Sequence, residues 1–238
     1  MANEPRHLTN APIVEAMIAF DFVVSGGLDD LRNAFLERIR SRYPNQAPIQ
    51  KAEITFNAEG STGKTNVVGA RCVSLNGKNV CAMNENSFIC SRLHPYENWE
   101  SLSSEFRHLW EVFTTSGALT VTKAAVRYIN KIFIPEGSEI FDSIFTYPKL
   151  ADGLPQDMSS VFVRLQLAIP EPPGILLVTE AQLPPEKPKY VAIALDHDLQ
   201  FPVTEQTGDV WKLLEEARRL KNQYFFASIS EELLKEYA

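Results

Sequence analysis

The chain has 238 residues, of which 45% are hydrophobic and 22% are charged, with 15 prolines and 11 glycines. These proportions are typical of a globular protein, and they exclude a disordered chain, a collagen and a coiled coil. The 23 basic and 30 acidic residues give a net charge of −7, which argues against a protein that coats nucleic acid.

The sequence favours a cytoplasmic protein. No apolar run reaches the roughly 18 residues that a membrane-spanning helix needs. The first residues, MANEPRHLTNAP, lack the apolar centre of a secretory signal. The three cysteines, Cys72, Cys81 and Cys90, are too few for a disulfide framework and are typical of a reducing compartment.

Apolar periodicity predicts the elements of the N-terminal half. Alternation with period two indicates strands, and spacings of three or four indicate helices. In chain order we predict a strand (13–24), a helix (28–43), a strand (52–57), a polar loop (58–66), an antiparallel meander (67–93) and a helix (97–115). The last helix has the clearest apolar stripe, formed by Trp99, Leu102, Phe106, Leu109, Trp110 and Phe113.

Turn residues set the register of the meander. Asn76-Gly77 is a strong two-residue hairpin signal, because both positions tolerate positive φ, and Glu85-Asn86 is a weaker candidate for the second turn. With two-residue loops, Cys72 lies opposite Cys81, and Cys81 lies opposite Cys90. We interpret this row as buried thiols, since structural zinc draws its ligands in closely spaced pairs.

The same reasoning predicts the C-terminal half. In chain order we expect a strand (123–135), a short helix (138–147), a loop (148–159), three strands (161–169, 175–183 and 190–199), a long helix (208–226) and a terminal helix (231–237). Ser230 is the predicted N-cap of the terminal helix, because a serine hydroxyl can accept a hydrogen bond from a free N–H of the first turn.

This order of elements predicts an α+β fold with a mostly antiparallel curved sheet and helices on one face. Both halves follow a similar β-α-β-β-β-α plan. We therefore expect one domain (1–238) built of an N-terminal half (1–117) and a C-terminal half (118–238). The plan is similar to the saddle of TATA-binding proteins or to a helix-grip barrel, a likeness of topology that implies no function.

Three stretches invite a chemical interpretation that their context does not favour. Residues 58–65 match a relaxed phosphate-loop pattern, but the residues that follow predict a hairpin where such a loop needs a helix. In the run 196–198, DHD, a strand would point the histidine away from both aspartates. Arg218, Arg219 and Lys221 adjoin glutamates on a helix, so we expect a solvated face with salt bridges.

Polar side chains inside apolar strands are the most informative feature. A charge in the middle of a strand either faces water or needs a partner. One interpretation is a set of internal ion pairs that fix the register, such as Glu15 with Arg127. The other is a sheet face whose side chains converge on an anionic or polar ligand. The candidate ligand-binding residues are Glu15, Arg92, Arg127, Asn130, Arg164 and Glu180.

Several motifs, in order along the whole chain, resemble one family. They are LTNAPIVEA (8–16), SRLHPYENW (91–99), LW (109–110), RYIN (127–130) and FFASIS (225–230). Together they are similar to a sporadically distributed bacterial family of uncharacterised proteins of about this length. The chain departs from the family pattern at Val126, where leucine is more usual, and at Cys90.

The resemblance implies little mechanism, because no reaction is established for the family and no catalytic residue can be transferred. Its patchy distribution would fit mobile loci such as phage defence or toxin–antitoxin modules. The resemblance singles out the motif residues Glu15, Arg92, Tyr96, Trp99, Arg127, Tyr128 and Asn130.

The sequence shows no nucleophile beside a base and no metal-ligand spacing, so it leaves catalysis open and favours a non-catalytic protein. We expect a cytoplasmic binding or accessory protein that engages a protein partner or a small ligand. The alternative is an enzyme acting on a small phosphorylated or carboxylated molecule, in a cleft lined by the strand arginines and glutamates. We expect no cofactor, metal, membrane or nucleic-acid partner, and the sequence leaves a homo-oligomer open.

Overall fold

In a computed structural model of the protein, the residues described are 8–57, 60–115, 117, 119–136, 144, 151, 153–155 and 160–238. The strands are β1 (Ile13–Val24), β2 (Asn45–Asn57), β3 (Gly60–Val73), β4 (Asn79–Met83), β5 (Ser87–Leu93), β6 (Leu119–Pro135), β7 (Phe162–Ile169), β8 (Gly174–Gln182) and β9 (Tyr190–Pro202). The helices are α1 (Leu28–Ile39), α2 (Trp99–Thr114), α3 (Val210–Ser228) and α4 (Glu231–Leu234), with 3₁₀ turns at Glu205–Thr207 and Lys235–Tyr237.

The strands form one sheet in the order β2-β3-β4-β5-β1-β6-β9-β8-β7. The hairpins β2–β3, β3–β4, β4–β5, β7–β8 and β8–β9 pair antiparallel. The predicted α+β class with a large antiparallel sheet is therefore confirmed. None of the helices in the described ranges is long and apolar enough to cross a membrane.

The chain divides into two compact units. The first unit consists of Met17–Leu93 and Glu97–Ala124, and the second of Met1–Ala16, His94–Tyr96 and Ala125–Ala238. Strands β1 and β6 each contribute residues to both units. The units thus divide inside two strands, whereas the predicted halves meet between residues 117 and 118.

In the first unit, α1 and α2 pack their apolar stripes on one sheet face. All six residues of the stripe predicted for α2 are buried, which confirms it. Phe20 of β1 and Phe88 of β5 make edge-to-face or tilted contacts with α2, and Phe35 of α1 lies against Phe88. This aromatic cluster adds directional ring contacts to the burial of apolar area.

The predicted cysteine row is confirmed. Cys72 pairs with Cys81, and Cys81 pairs with Cys90, across β3, β4 and β5. All three thiols are buried, and burial raises their pKa values, that of Cys72 to about 11. They are therefore protonated at neutral pH and pack as small apolar side chains.

The hairpin of β2 and β3 is longer than predicted, because most of the expected polar loop 58–66 is strand. Residues Asn57 and Gly60 pair at its tip, and the register shifts by a bulge between Ile49 and Gln50. Near that bulge, a Cβ on Gly69 would lie 2.1 Å from the carbonyl oxygen of Met83, so β3 needs glycine beside β4. Of the predicted loop, Ala58 and Glu59 lie outside the described residues.

The second unit confirms most of the predicted elements in the C-terminal half. Strands β7, β8 and β9 match the predicted ranges within three residues, and α3 lies against β9 with Leu213, Leu214, Ala217 and Leu220 buried. The hydroxyl of Ser230 accepts a hydrogen bond from the N–H of Leu233, which confirms the predicted cap of α4. Apart from Ile144, the predicted helix 138–147 lies outside the described residues.

We predict that Phe88→Ala lowers the free energy of unfolding by about 3–5 kcal/mol, because it leaves a cavity in the aromatic cluster. The matched control is Leu75→Ala, since Leu75 is 74% exposed and its truncation is expected to change stability by about 0.5 kcal/mol or less. Urea unfolding of the two variants measures both effects. Equal losses would contradict this account of the core.

Candidate functional site

The six candidate binding residues are divided between the two units. Arg92 belongs to the first unit, and the other five belong to the second. Within the second unit, alternation along each strand places Arg127, Arg164 and Glu15 on the sheet face opposite to α3. Asn130 and Glu180 lie on the face that α3 covers, where both are buried.

Arg127 forms an internal ion pair, but its partner is Asp196 and not Glu15. The Nε of Arg127 donates to Asp196 Oδ1 at 2.9 Å, and Nη2 donates to Oδ2 at 2.6 Å. This fork geometry raises the pKa of Arg127, with the charges of Asp198 and Glu15 adding to the effect. The Arg127 side chain is 42% exposed, and the Asp196 side chain is only 12% exposed.

Arg164, on β7, lies on the same open face, with the two strands β9 and β8 between it and Arg127 on β6. It pairs across β7–β8 with Thr179, which in turn pairs across β8–β9 with Asp196. Arg164 is exposed, and Glu15 is half-buried. The open face of the second unit therefore presents one ion-paired arginine and one solvated arginine, separated by Thr179 and Asp196.

Arg92 is held by residues of its own unit. Its Nη1 donates to Asn79 Oδ1 at 2.8 Å, and its Nη2 pairs with the carboxylate of Glu97, just before α2. Only 8% of the Arg92 side chain is exposed. Arg92 thereby ties β4 and β5 to the start of α2, an arrangement that explains its place in the motif by folding alone.

The two motif tyrosines form a pair in the second unit. The hydroxyls of Tyr96 and Tyr128 lie 2.8 Å apart, and their rings meet edge to face. On the other side of Tyr128, the Nζ of Lys221 stands 3.7 Å from the ring centroid, in cation–π geometry. The third motif aromatic, Trp99, is buried at the first turn of α2 in the other unit.

The prediction of a solvated basic face on α3 is wrong for Lys221. Arg218 and Arg219 do pair with Glu215 and Glu216 at the surface. Lys221, however, lies one helical turn after the buried Ala217, and it is only 8% exposed. Burial, together with the charge of Arg218, lowers the pKa of Lys221 from 10.5 to about 7.

His197 shares this buried layer, and it points away from Asp196 and Asp198, as the alternation predicts. Ser228 Oγ donates to the Tyr224 carbonyl at 2.7 Å, so it accepts from His197 Nε2–H at 3.1 Å. Burial and the nearby charge of Lys221 lower the pKa of His197 to about 4. His197 is therefore neutral at physiological pH.

Asn130 and Glu180 complete the buried polar layer. The side-chain amide of Asn130 donates to the Leu195 carbonyl at 3.2 Å, and Glu180 pairs across β8–β9 with the same Leu195. Neither side chain opens to solvent, since Asn130 is 2% exposed and Glu180 0%. In the part of the chain that the structure describes, these two side chains are therefore closed to solvent.

Two other chemical interpretations do not gain support. Residues 60–65 belong to β3, so no helix begins after the phosphate-loop-like stretch, as such a loop requires. Over the described ranges, no group of three or more His, Cys, Asp or Glu side chains is arranged to hold a metal ion.

The outer part of the β2–β3 hairpin, residues 50–57 and 60–67, is the surface that we call the hairpin arm. One side carries Ile54 and Phe56, which are 63% and 80% exposed. Val67 lies at the base of the arm, opposite Gln50, and it is 48% exposed. The other side carries Lys51, Glu53 and Lys64, with Lys51 and Glu53 joined by a 3.0 Å ion pair.

Sequence reasoning missed the hairpin arm. Its alternation of Ala52, Ile54 and Phe56 with Glu53 and Thr55 correctly indicates a strand, but the same pattern is typical of a strand with one buried face. The exposure of the apolar side follows from the length of β2 beyond the helix layer, which periodicity does not encode. The nearest signal was the glycine-rich continuation, GSTGKT, which predicts a polar tip.

Comparison with known proteins adds no assignment. No protein-family model matches the chain, and a search of the curated proteins found no match.

We predict that the pH dependence of stability reports the burial of Lys221. Between pH 7 and 10.5 the unfolded chain binds a proton at this lysine that the folded chain does not, so the free energy of unfolding rises with pH. Lys221→Met should remove this rise, which is roughly 4 kcal/mol at most. Exposed Lys212→Met on the same helix should leave it intact.

Chemical unfolding of the three proteins at pH 7, 8, 9 and 10 measures the slopes. Tyr128 from β6, His197 from β9 and Arg218 of α3 itself interact with the buried amine, and none of them is altered by the control. A Lys221→Met slope equal to that of the unaltered protein would contradict the assignment.

We also predict that Arg127 and Asp196 are energetically coupled. A double-mutant cycle with Arg127→Ala and Asp196→Ala should give a coupling of about 1 kcal/mol, falling as salt is added. The exposed pair Arg219 and Glu216 on α3 is the matched control, and its coupling should be smaller. A coupling of zero would contradict this prediction. It would mean that Asp196 does not hold Arg127, so that the arginine could bind a ligand.

Proposed function

We propose that this is a non-catalytic binding or accessory protein that docks a protein partner through the apolar side of the hairpin arm. The observation that carries the proposal is the exposure of Ile54 and Phe56, 63% and 80%, side by side on one strand. Neighbouring exposed apolar residues mark interaction surfaces, because water contact with them is costly until a partner covers them.

The geometry of the arm supports a protein partner over a small molecule. The arm is a two-stranded ribbon whose residues 51–56 are all exposed, so among the described residues it offers an open surface and not a cavity. Small-molecule sites are concave and bury most of the ligand. A ribbon with one apolar side and one free edge is suited to strand addition or to packing against another sheet or helix.

The enzyme alternative draws less support from the same structure. It needs Arg92, Arg127 and Arg164 to bind an anion beside Glu15 or Glu180. Arg127 is bonded to Asp196, and Arg92 is bonded to Asn79 and Glu97. Such internal pairing favours the interpretation that these charges fix the fold, and it leaves Arg164 as the arginine best placed to meet a solute.

The remaining parts of the proposal follow from composition and topology. Three adjacent buried thiols fit a reducing cytoplasm, and the negative net charge fits a partner other than nucleic acid. We also propose that the chain belongs to the sporadically distributed bacterial family that its motifs resemble. The gene would then lie in a mobile defence or toxin–antitoxin type locus. We propose no cofactor.

We extend the proposal to a common plan for the two halves. From the centre of the sheet to each edge, the strand order reads β1-β5-β4-β3-β2 in one direction and β6-β9-β8-β7 in the other. In each half, the strand that comes first along the chain lies nearest the centre of the sheet. The last strand of that half lies beside it, and the strands between them follow toward the edge in reverse chain order. This supports a saddle-like or helix-grip-like pair of halves, a likeness that carries no function.

We predict that a photo-crosslinking amino acid at position 56 forms a discrete adduct in the host cell, because Phe56 lies on the docking side. The matched control is position 55, since Thr55 is also exposed but points to the opposite side. The adduct yield at position 56 should be severalfold higher, and adding Ile54→Asn should reduce it. Mass spectrometry of the adduct identifies the protein that is crosslinked to the arm.

Two results would overturn the proposed function. Adducts at neither position would mean that the arm meets no partner. Equal yields at positions 55 and 56, with adducts to many different proteins, would mean that contacts are random and that the apolar side is not a docking surface.

A further inference from the structure

Starting from the proposed docking function of the hairpin arm, we infer that its occupant is a second copy of this chain. The two copies pair their β2 strands antiparallel, edge to edge, about a two-fold axis at Ala52. The inference rests on the proposed function for the surface, and it adds the identity of the partner and the register of the contact.

The outer edge of β2 is open to such pairing. Among the strands that the structure describes, β2 ends the sheet order, so one row of its backbone N–H and C=O groups has no neighbouring strand. Natural edges are often blocked by proline or by several lysines. In β2 the proline is Pro48, which comes opposite Phe56 at the end of the pairing, and the central segment 49–55, which pairs with itself, contains no proline and a single lysine.

The charges of β2 are complementary to themselves in one register. Antiparallel pairing about Ala52 places residue i opposite residue 104 − i of the second copy. Lys51 then lies opposite Glu53 of the second copy, and Glu53 lies opposite its Lys51, which gives two ion pairs between the copies in place of the exposed pair within each strand. Opposite charges facing each other stabilise a strand pair, and like charges destabilise it.

Neighbouring registers lack this match. Because facing side chains must share a sheet side, a two-fold axis has to pass through a residue. An axis at Lys51 or at Glu53 places identical charges opposite each other, and an axis at Ile54 leaves both charges opposite neutral residues. A parallel arrangement with the strands in register brings like charges together as well.

The same register joins the apolar sides of the two arms into one longer surface. Gln46, at the base of β2, donates to the Leu36 carbonyl of α1, so the even-numbered residues of β2 face the side on which α1 lies. Antiparallel pairing brings Phe56 of one copy beside Pro48 of the other. Each exposed phenylalanine therefore gains an apolar neighbour across the strand pair, on the side of α1, and loses part of its contact with water.

Charge-swap variants test this inference through the oligomeric state. By sedimentation, the unaltered chain should be a dimer at micromolar concentration. Lys51→Glu and Glu53→Lys should each weaken dimerisation by roughly tenfold or more, because each turns two attractive pairs into repulsive ones. Lys78→Glu, with the same change in charge outside the arm, should have no effect.

Restoration separates the proposed contact from a loss of folding. Mixing the Lys51→Glu chain with the Glu53→Lys chain should restore a dimer of one chain of each kind, since every facing pair is again opposite in charge. The double variant K51E/E53K should dimerise by itself. Unfolding midpoints measured beside these samples should show that each variant is folded.

A monomer at all concentrations, or a dimer that none of the charge swaps weakens, would overturn the inference. These failures differ from a failure of the proposed function. A monomer whose position 56 crosslinks to a different protein keeps the docking surface and replaces its occupant. A monomer without adducts at position 56 removes both.

Discussion

The side-chain alternation of one antiparallel sheet is the constraint on which the rest of the structure depends. In each unit, helices cover one sheet face, so every second residue of a covered strand must be apolar or find a partner. On β6 this rule turns Arg127 outward to Asp196, and it turns Tyr128 and Asn130 inward beneath α3. Neighbouring residues of the motif RYIN therefore lie on opposite faces of the sheet. The motif combines a polar partner for one face with residues that pack beneath α3 on the other.

Local sequence patterns predicted most of the helices and strands. They did not predict the partners of the candidate site residues, because those partners are distant in sequence. The stripe of α2, the cap at Ser230 and the register of the cysteine row each depend on residues close in sequence or on turn length, and each is confirmed. The partner of Arg127 lies 69 positions away, on a strand whose place in the sheet depends on topology. Glu15, Asp196 and Asp198 are equally good candidates for the partner of Arg127, because alternation along their strands assigns all three to the same face.

Lys221 shows where charge patterning fails as a guide to exposure. Three basic residues within four positions predict a solvated face, yet the helical period assigns Lys221 to the stripe that begins at Leu213 and Leu214. The cost of burying the amine is reduced by the face of the Tyr128 ring and by loss of the proton. Tyr96 fixes that ring through its hydroxyl, so two motif tyrosines have a structural reason to occur together.

The hairpin arm is a ribbon whose β2 side chains 51–56 are all exposed. A two-stranded ribbon exposed on both sides is marginally stable in water, and the ion pair of Lys51 with Glu53 lies in solvent, where it contributes little. Burial of Ile54 and Phe56 by a partner would supply the apolar stabilisation that the arm lacks. The order of the arm is then coupled to binding, since any partner that recognises only the paired ribbon stabilises it by mass action. A strand with self-complementary charges couples that order to the concentration of the protein itself.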